Sequence, residues 1–336
     1  NPVFVTDTTF IDENPLQGIH SYSVSSYYNN GNTYSIPYEV AVMYGNSLYV
    51  SPNGSNSNCG SCFGEALLTI NYALSFLESD PLNPKTIYLS EGIFSPSTTG
   101  EIFPLGWKGY VSMIGSSEKE TILDGESISG ILDFSEIDSA KIENFTIRNG
   151  SGDKGGAIHC WNSSAKFTNM TIINNSAGQG GGIHISAFSN AELTNMTIMN
   201  NSAAYGGGIY ILGIHTPGRS VILNNVIISN NSANGNGGGI ILIHSSYSGL
   251  INVALNNVTI TNNSALNGGG LFMSHHSECF LKNSILWHNS PQQIDFGRNT
   301  IAGGNTISIS YSDIQGGLDS IITYGRNTVY WLSLIH

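Results

Sequence analysis

Charge is scarce in this sequence: 10% of its 336 residues are charged, 11 of them basic and 23 acidic. The net charge of −12 argues against nucleic acid or an anionic membrane surface as a partner, because both repel an acidic protein. No run of eighteen apolar residues occurs, so no transmembrane segment is predicted. The composition is that of an exported protein, and we expect an extracellular or bacterial cell-surface location.

Cysteine is also scarce, with four residues in the chain. Cys59 and Cys62 form a Cys-x-x-Cys in a loop rich in Gly, Ser and Asn, without a second ligand pair or a thioredoxin-like context. A local disulfide or two free thiols is therefore favoured over a metal or redox site. Cys160 and Cys279 fall at inward strand positions, where we expect small core residues.

What the sequence does contain is a repeat. Asn-Asn-Ser followed by Gly-Gly-Gly occurs in four close copies: Asn169–Ile185, Asn195–Ile211, Asn225–Leu242 and Asn257–Met273. A looser copy precedes them and a decayed one follows, at Asn144–Cys160 and Asn283–Gln293. The serines recur at intervals of 25, 26, 30, 32 and 26 residues. This period is typical of a solenoid, in which each unit buries its apolar face against its neighbours.

Each repeat alternates apolar and polar residues at period two, which predicts strands, and the glycines interrupt any helix. Three short strands are predicted per turn, with inward residues such as Leu193, Ile198 and Ile209. We therefore predict an all-β fold, a parallel β-helix whose turns stack about 4.8 Å apart.

Two polar columns follow from stacking the repeats. Lys166 and Glu192 occupy the same outward position in adjacent turns, which predicts a weak surface salt bridge. The corner asparagines would form a ladder of hydrogen-bonded amides through Asn169, Asn195, Asn225 and Asn257.

The Gly-Gly-Ala-Ile at Gly155–Ile158, its Gly-Gly-Gly relatives, and the Phe-Thr-Asn at Phe167–Asn169 resemble the repeats of polymorphic outer-membrane proteins. They are also similar to the broader pectin-lyase-like superfamily. The resemblance covers about half of the chain and implies a right-handed parallel β-helix. That superfamily holds polysaccharide lyases, glycosidases, adhesins and inert stalks, so the resemblance leaves the activity open.

Residues 1–45 lie outside the repeat. We predict that they are the C-terminal part of a fibronectin type III-like or Ig-like sandwich, with strands Thr8–Ile11, His20–Tyr28 and Tyr38–Val42 and a turn at Asn29–Asn32. A β-hairpin packed on the rod is the alternative. Because half a sandwich cannot bury its core, we expect the chain to be a monomeric piece of a longer multidomain protein.

Residues 46–331 are predicted to form the β-helix. Residues 46–139 would be an N-terminal cap with an amphipathic helix in Gly64–Ser79, and residues 140–331 the repeat turns. Residues 332–336 resemble a translated sequencing adapter and are expected to be non-native.

We predict a binding surface of rings along the axis, from the third strands and the neighbouring second strand: His159, His184, Tyr210, Phe272 and Trp287. Such a column could stack on sugar faces or on an apolar partner, and packing for stability alone is the alternative. Residues of two inserted loops would rim it: His215, Arg219, His244 and Tyr247.

The middle of the rod lacks catalytic groups. Between Ala165 and Ser277 the formal charges are Lys166, Glu192 and Arg219, so no carboxylate pair for a glycosidase exists there. The alternative is a lyase or Ca²⁺ site near the first turns, built from Asp133, Glu136, Asp138 and Arg148, although a solvated charged face is the simpler interpretation. A second, weaker group comprises Asp295, Arg298, Asp313 and Asp319.

Three functions remain. The favoured hypothesis is a non-catalytic adhesion or carbohydrate-contact module without a cofactor or bound metal. The alternatives are a polysaccharide lyase or glycoside hydrolase of the pectin-lyase-like fold, and an inert structural stalk.

Overall fold

The structure, a computed structural model, describes residues 12–28, 33–213, 220–244, 251–274, 276–298 and 304–332. Parallel strands dominate these residues, which contain one α-helix, Ile70–Ser75, and two short 3-10 helices, Phe63–Glu65 and Gly317–Ser320. From Ser47 onward the strands stack turn upon turn into a parallel β-solenoid, in which strands pair with the equivalent strands of neighbouring turns.

The largest sheet, called the long sheet, has 16 strands. Its main path comprises Ser47–Val50, Lys85–Leu89, Val111–Gly115, Ala140–Arg148, Ala165–Ile173, Glu192–Met199, Val221–Ser229, Ile251–Asn256, Ser277–Lys282, Thr306–Ser310 and Thr328–Trp331. Shorter strands extend it sideways: Gly92–Phe94, Thr121–Asp124, Thr259–Thr261, Ile285–Trp287 and Asp313–Ile314.

The second sheet, called the third-strand sheet, has nine strands, one for each turn. They are Leu105–Gly106, Leu132–Ser135, Ile158–Trp161, Ile183–Ala187, Ile209–Gly213, Ile240–His244, Leu271–Ser274, Ile294–Phe296 and Ile321–Ile322. A four-stranded corner sheet lies between the other two along the chain, formed by Ser151–Lys154, Ser176–Gln179, Ser202–Tyr205 and Ser232–Ala233.

The strands within a turn begin and end at other residues than predicted. In the central turns the first two predicted strands are one strand, as in Ala165–Ile173, which bends at Asn169 (φ 53°) without ending. The corner sheet was not predicted, because Asn-Asn-Ser and its following residues have the composition of a turn. The segment 46–139 contributes strands to the same two large sheets, so its chain stacks on the repeats in parallel.

The predicted helix is shorter than Gly64–Ser79. Leu67 instead forms a bridge to Val50, and the helix begins at Ile70, where the Thr69 side chain accepts a hydrogen bond from the Tyr72 amide at 3.2 Å. Its apolar residues Ile70, Ala73 and Leu74 join the core.

One apolar core fills the rod between the sheets. The predicted inward residues are buried throughout, as shown by the row of Leu193, Leu223, Leu255 and Leu281, each fully buried. Cys160 and Cys279 are buried in this core as predicted, and burial raises the pKa of each thiol to about 12. Cys59 and Cys62 are free thiols.

The amino-terminal residues form an antiparallel hairpin, Gly18–Val24 with Tyr38–Tyr44, and a small pair, Tyr27–Tyr28 with Thr33–Tyr34. Ile19 and Met43 pack against the rod core, and the Ile19 amide donates to the Cys59 carbonyl at 2.7 Å. These contacts fit the hairpin alternative. The predicted strand Thr8–Ile11 and turn Asn29–Asn32 lie outside the described residues, and the fibronectin-like assignment stays a prediction.

The predicted amide ladder is present and exposed. Asn169, Asn195, Asn225 and Asn257 each donate through Nδ2 to the Oδ1 of the asparagine in the preceding turn, at 3.0–3.1 Å. All four have positive φ, which asparagine tolerates better than most residues.

A second ladder was not predicted. It is formed by the buried second asparagine of the four Asn-Asn-Ser copies and by the asparagine of the following His-Asn-Ser, and its members are Asn175, Asn201, Asn231, Asn263 and Asn289. Here the Nδ2 of each of the first four asparagines donates to the Oδ1 of the asparagine in the following turn at 2.9–3.0 Å. That Oδ1 also accepts the backbone amide of the asparagine one turn earlier, which fixes the orientation of the side chain.

Candidate functional site

The predicted column of outward residues exists in the predicted register. In the third-strand sheet, His159 pairs with His184, His184 with Tyr210, and Tyr210 with Ile241, and the column continues to Phe272 and Asp295. The rings of His184 and Tyr210 stack with centroids 5.1 Å apart and an interplanar angle of 10°.

From His184 to Phe272 the column is buried, which the sequence did not predict. His184 is 0% exposed, and Tyr210 and Phe272 are each 5% exposed. Tyr210, Ile241 and Phe272 form a second apolar cluster, with Leu212 and Ile243 packed against it. Burial, followed by the nearby positive charges of His159 and Lys154, lowers the pKa of His184 to about 3. The column therefore does not form an open ring-lined face for a ligand.

The other predicted binding residues are dispersed. Trp287 is 37% exposed on the long sheet, with its ring edge-on to His288, and so does not adjoin the column. His244 is buried at the end of the strand Ile240–His244. His215, Arg219 and Tyr247 lie outside the described residues.

Two residues of the alternative site near the first turns, Arg148 and Asp133, lie in different sheets. Arg148 pairs with Asp124, at 2.6 Å between Nε and Oδ2, because these residues are partners in adjacent strands of the long sheet. Asp133 belongs to the third-strand sheet and contacts His159, at 3.1 Å between Oδ1 and Nδ1. Arg148 is therefore paired with a carboxylate, Asp124, that the alternative site did not include.

Glu136 and Asp138 do not join Asp133 in a cation-binding site. Glu136 lies at a bend with φ 58°, and Asp138 uses its backbone carbonyl to accept from the Tyr110 amide. In the part of the chain that the structure describes, no three His, Cys, Asp or Glu side chains are grouped to hold a metal ion.

The salt bridge predicted for the mid-rod is present. Lys166 Nζ lies 2.9 Å from Glu192 Oε2, and both side chains are exposed. Such a pair contributes little to stability, since water screens it.

The site that the structure does assemble is a cleft of about 540 Å³ beside the later turns. It adjoins the predicted column at Phe272, and its polar walls come from different turns. The lining residues are Asn236, Ile243, Asn267, Phe272, Ser274, Asp295, Gly297, Arg298 and Tyr324.

Stacking of the turns positions these groups. Asn267 Nδ2 donates to Asn236 Oδ1 at 2.9 Å, so the two amides form a short ladder on one wall. Phe272 and Asp295 are strand partners. Gly297 passes close to the Phe272 ring, and a Cβ there would lie 2.6 Å from the ring.

The cleft contains two charged side chains, Asp295 and Arg298, although charged residues are scarce in this protein. Asp295 is 3% exposed and has no hydrogen bond or ion pair among the described residues, and burial raises the pKa of its carboxyl. The Arg298 guanidinium lies 5.3 Å from the centroid of the Tyr324 ring and pairs with no carboxylate within the described ranges. The cleft thus combines a carboxyl with a raised pKa, a cation, amides and two aromatic rings.

Sequence reasoning found part of this cleft. It selected Phe272 as a binding residue and noted Asp295 and Arg298 as a weaker charged group. It missed Asn236, Asn267 and Tyr324. A usable signal for the amides was present, because both asparagines directly precede the glycines of their repeats.

None of the helices within the described ranges is long and apolar enough to cross a membrane. No protein-family model matches the sequence, and no curated protein matches it.

The fold is that of a parallel β-helix, and solved structures show the same architecture. A pectate lyase has 12% identity and a TM-score of 0.50, with 85% of this chain and 80% of that chain covered. A pectin methylesterase from carrot has 10% identity and a TM-score of 0.54, covering 86% and 89% of the two chains.

A protein of Geobacillus virus E2 is also similar, with 11% identity and a TM-score of 0.56, covering 92% of this chain and 66% of that chain. At such low identity these similarities show the parallel β-helix fold and carry no activity to this chain.

Proposed function

We propose that this protein is a β-helix that contacts polysaccharide through the cleft lined by Asn236, Asn267, Asp295, Arg298 and Tyr324. The observation that carries the proposal is the meeting of amides, a carboxyl, a cation and aromatic rings in one concave site, on a rod that is otherwise poor in charge. A few convergent polar groups in a large pocket are typical of a ligand site.

The chemistry of the lining fits a sugar. Sugar hydroxyls both donate and accept hydrogen bonds, and the amides of Asn236 and Asn267 do the same. The ring of Tyr324, which is partly exposed, offers apolar surface to the C–H groups of a pyranose. Arg298 is paired with no carboxylate among the described residues, so it can donate to a ligand oxygen without first breaking a salt bridge.

We propose binding without turnover. A glycosidase of the usual type needs two carboxylates on either side of the bond that is cleaved, and Asp295 is the one carboxylate among the described residues that line the cleft. The similar solved structures include a pectate lyase and a pectin methylesterase, and these names support a polysaccharide as the ligand class.

We propose that the protein acts outside the cell or at a bacterial cell surface, that it serves as a monomeric adhesion or glycan-contact rod, and that residues 1–45 belong to a fibronectin-like neighbour. We also propose that residues 46–139 form the cap and that residues 140–331 form the repeat turns.

The test is affinity electrophoresis or calorimetry of the purified chain against a panel of neutral and acidic polysaccharides. We expect Tyr324→Ala and Arg298→Ala each to weaken binding about tenfold or more, or about 1.4 kcal/mol. Tyr330→Ala is the matched control, since Tyr330 is 52% exposed on the long sheet. Binding that survives both cleft substitutions, or that depends on Tyr330, would contradict the proposal.

The enzymatic alternative is motivated by one observation, the buried carboxyl of Asp295 in the lining of the same cleft. It predicts release of unsaturated or reducing sugar ends from at least one polymer, with loss of that release in Asp295→Asn. Binding without any product supports the non-catalytic proposal, and neither binding nor product supports the stalk.

A further inference from the structure

We propose that the ligand of the cleft is a neutral, linear polysaccharide that continues beyond the cleft along the rod and contacts Tyr205 and Gln179. This inference rests on the proposed function. It adds the charge class of the polymer, its direction along the rod and two contact residues that do not line the cleft.

The contact surface is a column of residues, called the track, that each directly precede the glycines of a repeat. Its members are Gln179, Tyr205, Asn236 and Asn267. Gln179 and Tyr205 are strand partners, and Asn236 and Asn267 form a bridge. The Gly206 amide joins the two pairs by donating to the Asn236 carbonyl at 3.0 Å. Because both asparagines line the cleft, the track leads out of the cleft towards the earlier turns.

Tyr205 presents an aromatic ring on this track. Its side chain is 46% exposed. The ring lies over Gly235, where a Cβ would be 2.4 Å from Tyr205 Cε1 and 2.7 Å from Cδ1. Glycine at this position therefore leaves room for the ring next to Asn236. An exposed ring here offers a flat apolar surface to the C–H groups of a sugar.

The track and the cleft together are longer than one sugar. Four steps of the third-strand sheet separate the turn of Tyr205 from the turn of Tyr324. At about 4.8 Å for each step, the two rings are roughly 19 Å apart along the rod, and Gln179 lies one turn further. A single sugar ring cannot span this distance, so the geometry fits several consecutive sugars of a chain that lies parallel to the rod.

The charges favour a neutral polymer. All four side chains of the track are uncharged, and the amides both donate and accept hydrogen bonds, as sugar hydroxyls do. Arg298 is the one cation among the described residues that line the cleft, and Asp295 lies in the same lining. A polymer with a carboxylate on every sugar would find one cation there, and the net charge of −12 would repel it.

The test is calorimetric titration with two-sugar and six-sugar fragments of xylan, mannan and β-glucan, with oligogalacturonates of both lengths as the acidic comparison. We expect at least one neutral six-sugar fragment to bind about tenfold or more tightly than its two-sugar fragment, a gain of about 1.4 kcal/mol. Tyr205→Ala should weaken six-sugar binding about fivefold and change two-sugar binding by less than about twofold.

Three further variants separate the ring from other effects. Tyr205→Phe keeps the ring and should keep the preference for the longer fragment. Gly235→Ala keeps Tyr205 but places a Cβ where the ring lies, so it should cause the same selective loss as Tyr205→Ala. Phe280→Ala is the matched control, because Phe280 is 43% exposed on the long sheet and lies outside the track.

Unchanged six-sugar affinity in both Tyr205→Ala and Gly235→Ala would overturn the track, and the cleft would stand if Tyr324→Ala still weakened binding. Tighter binding of the oligogalacturonates than of every neutral fragment would overturn the neutral class. Failure of every fragment to bind at either length would overturn the proposed function, and this inference with it.

Discussion

The two asparagine ladders make the same amide-to-amide hydrogen bond in different surroundings. The exposed ladder, with Asn195 and Asn225, has its bonds in contact with water. The buried ladder, with Asn201 and Asn231, has the same bond at the same length inside the rod. Water can replace a lost bond only in the first, so we infer that burial, not the number of ladder bonds, decides how much each column stabilises the fold.

The largest expected effect breaks the buried ladder. Asn231 accepts from the backbone and side-chain nitrogens of Asn201 and donates to Ile198 O and Asn263 Oδ1, four bonds of 2.9–3.0 Å. Asn231→Ala leaves several of these partners buried and unpaired, and we expect a loss of about 3–5 kcal/mol in the free energy of unfolding. Urea denaturation followed by circular dichroism measures it, with Asn225→Ala as the matched variant.

The second-largest expected effect is a pH-dependent loss of stability caused by the buried His184. Unfolded histidine titrates near 6.5, whereas the pKa of His184 in the folded chain is about 3. Between these values the unfolded chain binds a proton that the folded chain does not, so stability falls as the pH falls through this window.

From about pH 7 to about pH 5 we expect His184 to contribute a loss of about 2 kcal/mol in the free energy of unfolding. Urea denaturation of the native chain and of His184→Gln at both pH values measures this loss. An equal pH dependence in both proteins would show that His184 does not titrate in this way.

The third effect concerns the exposed ladder. Asn225→Ala removes two exposed amide bonds and places alanine at φ 56°, and we expect a loss of about 1–1.5 kcal/mol. Asn225→Gly removes the same bonds but tolerates the backbone, so its cost separates the bond from the strain. If Asn225→Ala costs as much as Asn231→Ala in the same denaturation experiment, the role given to burial is wrong.

The smallest effect is at the surface salt bridge. Lys166→Ala breaks the contact with Glu192, and we expect a change below about 0.5 kcal/mol in the free energy of unfolding that shrinks further in high salt. Denaturation curves at low and high salt check this. A larger, salt-independent loss would mean that the alkyl stem of Lys166 packs on its neighbours.

The repeat made much of the fold predictable. Period-two alternation identified the buried rows, including Cys160 and Cys279, and the register of the repeats placed Lys166 beside Glu192 and Asn169 beside Asn195. Each of these follows from stacking equal units, in which equivalent residues become neighbours.

The remaining features depend on what surrounds a strand. Whether an outward residue such as His184 is covered cannot be deduced from the alternation of its own strand. The buried asparagines were read as part of a turn, because Asn-Asn-Ser is typical of one. The pair Asp124 and Arg148 had a usable signal, since aligning the buried Leu123 with Ile147 makes them partners.

The cleft was only partly predictable for a similar reason. Phe272 follows from the repeat, whereas Asp295, Arg298 and Tyr324 come from turns in which the repeat has decayed. Their meeting depends on how these irregular turns bend, and no periodic pattern encodes it.

The opposite directions of the two ladders have an electrostatic consequence. The exposed amides donate towards the earlier turns and the buried amides towards the later turns, with four side-chain bonds in each column. Their side-chain dipoles point in opposing senses along the rod and offset one another. Within these two columns, a further repeat therefore adds one bond of each sense, and their side-chain dipoles do not accumulate as the rod lengthens.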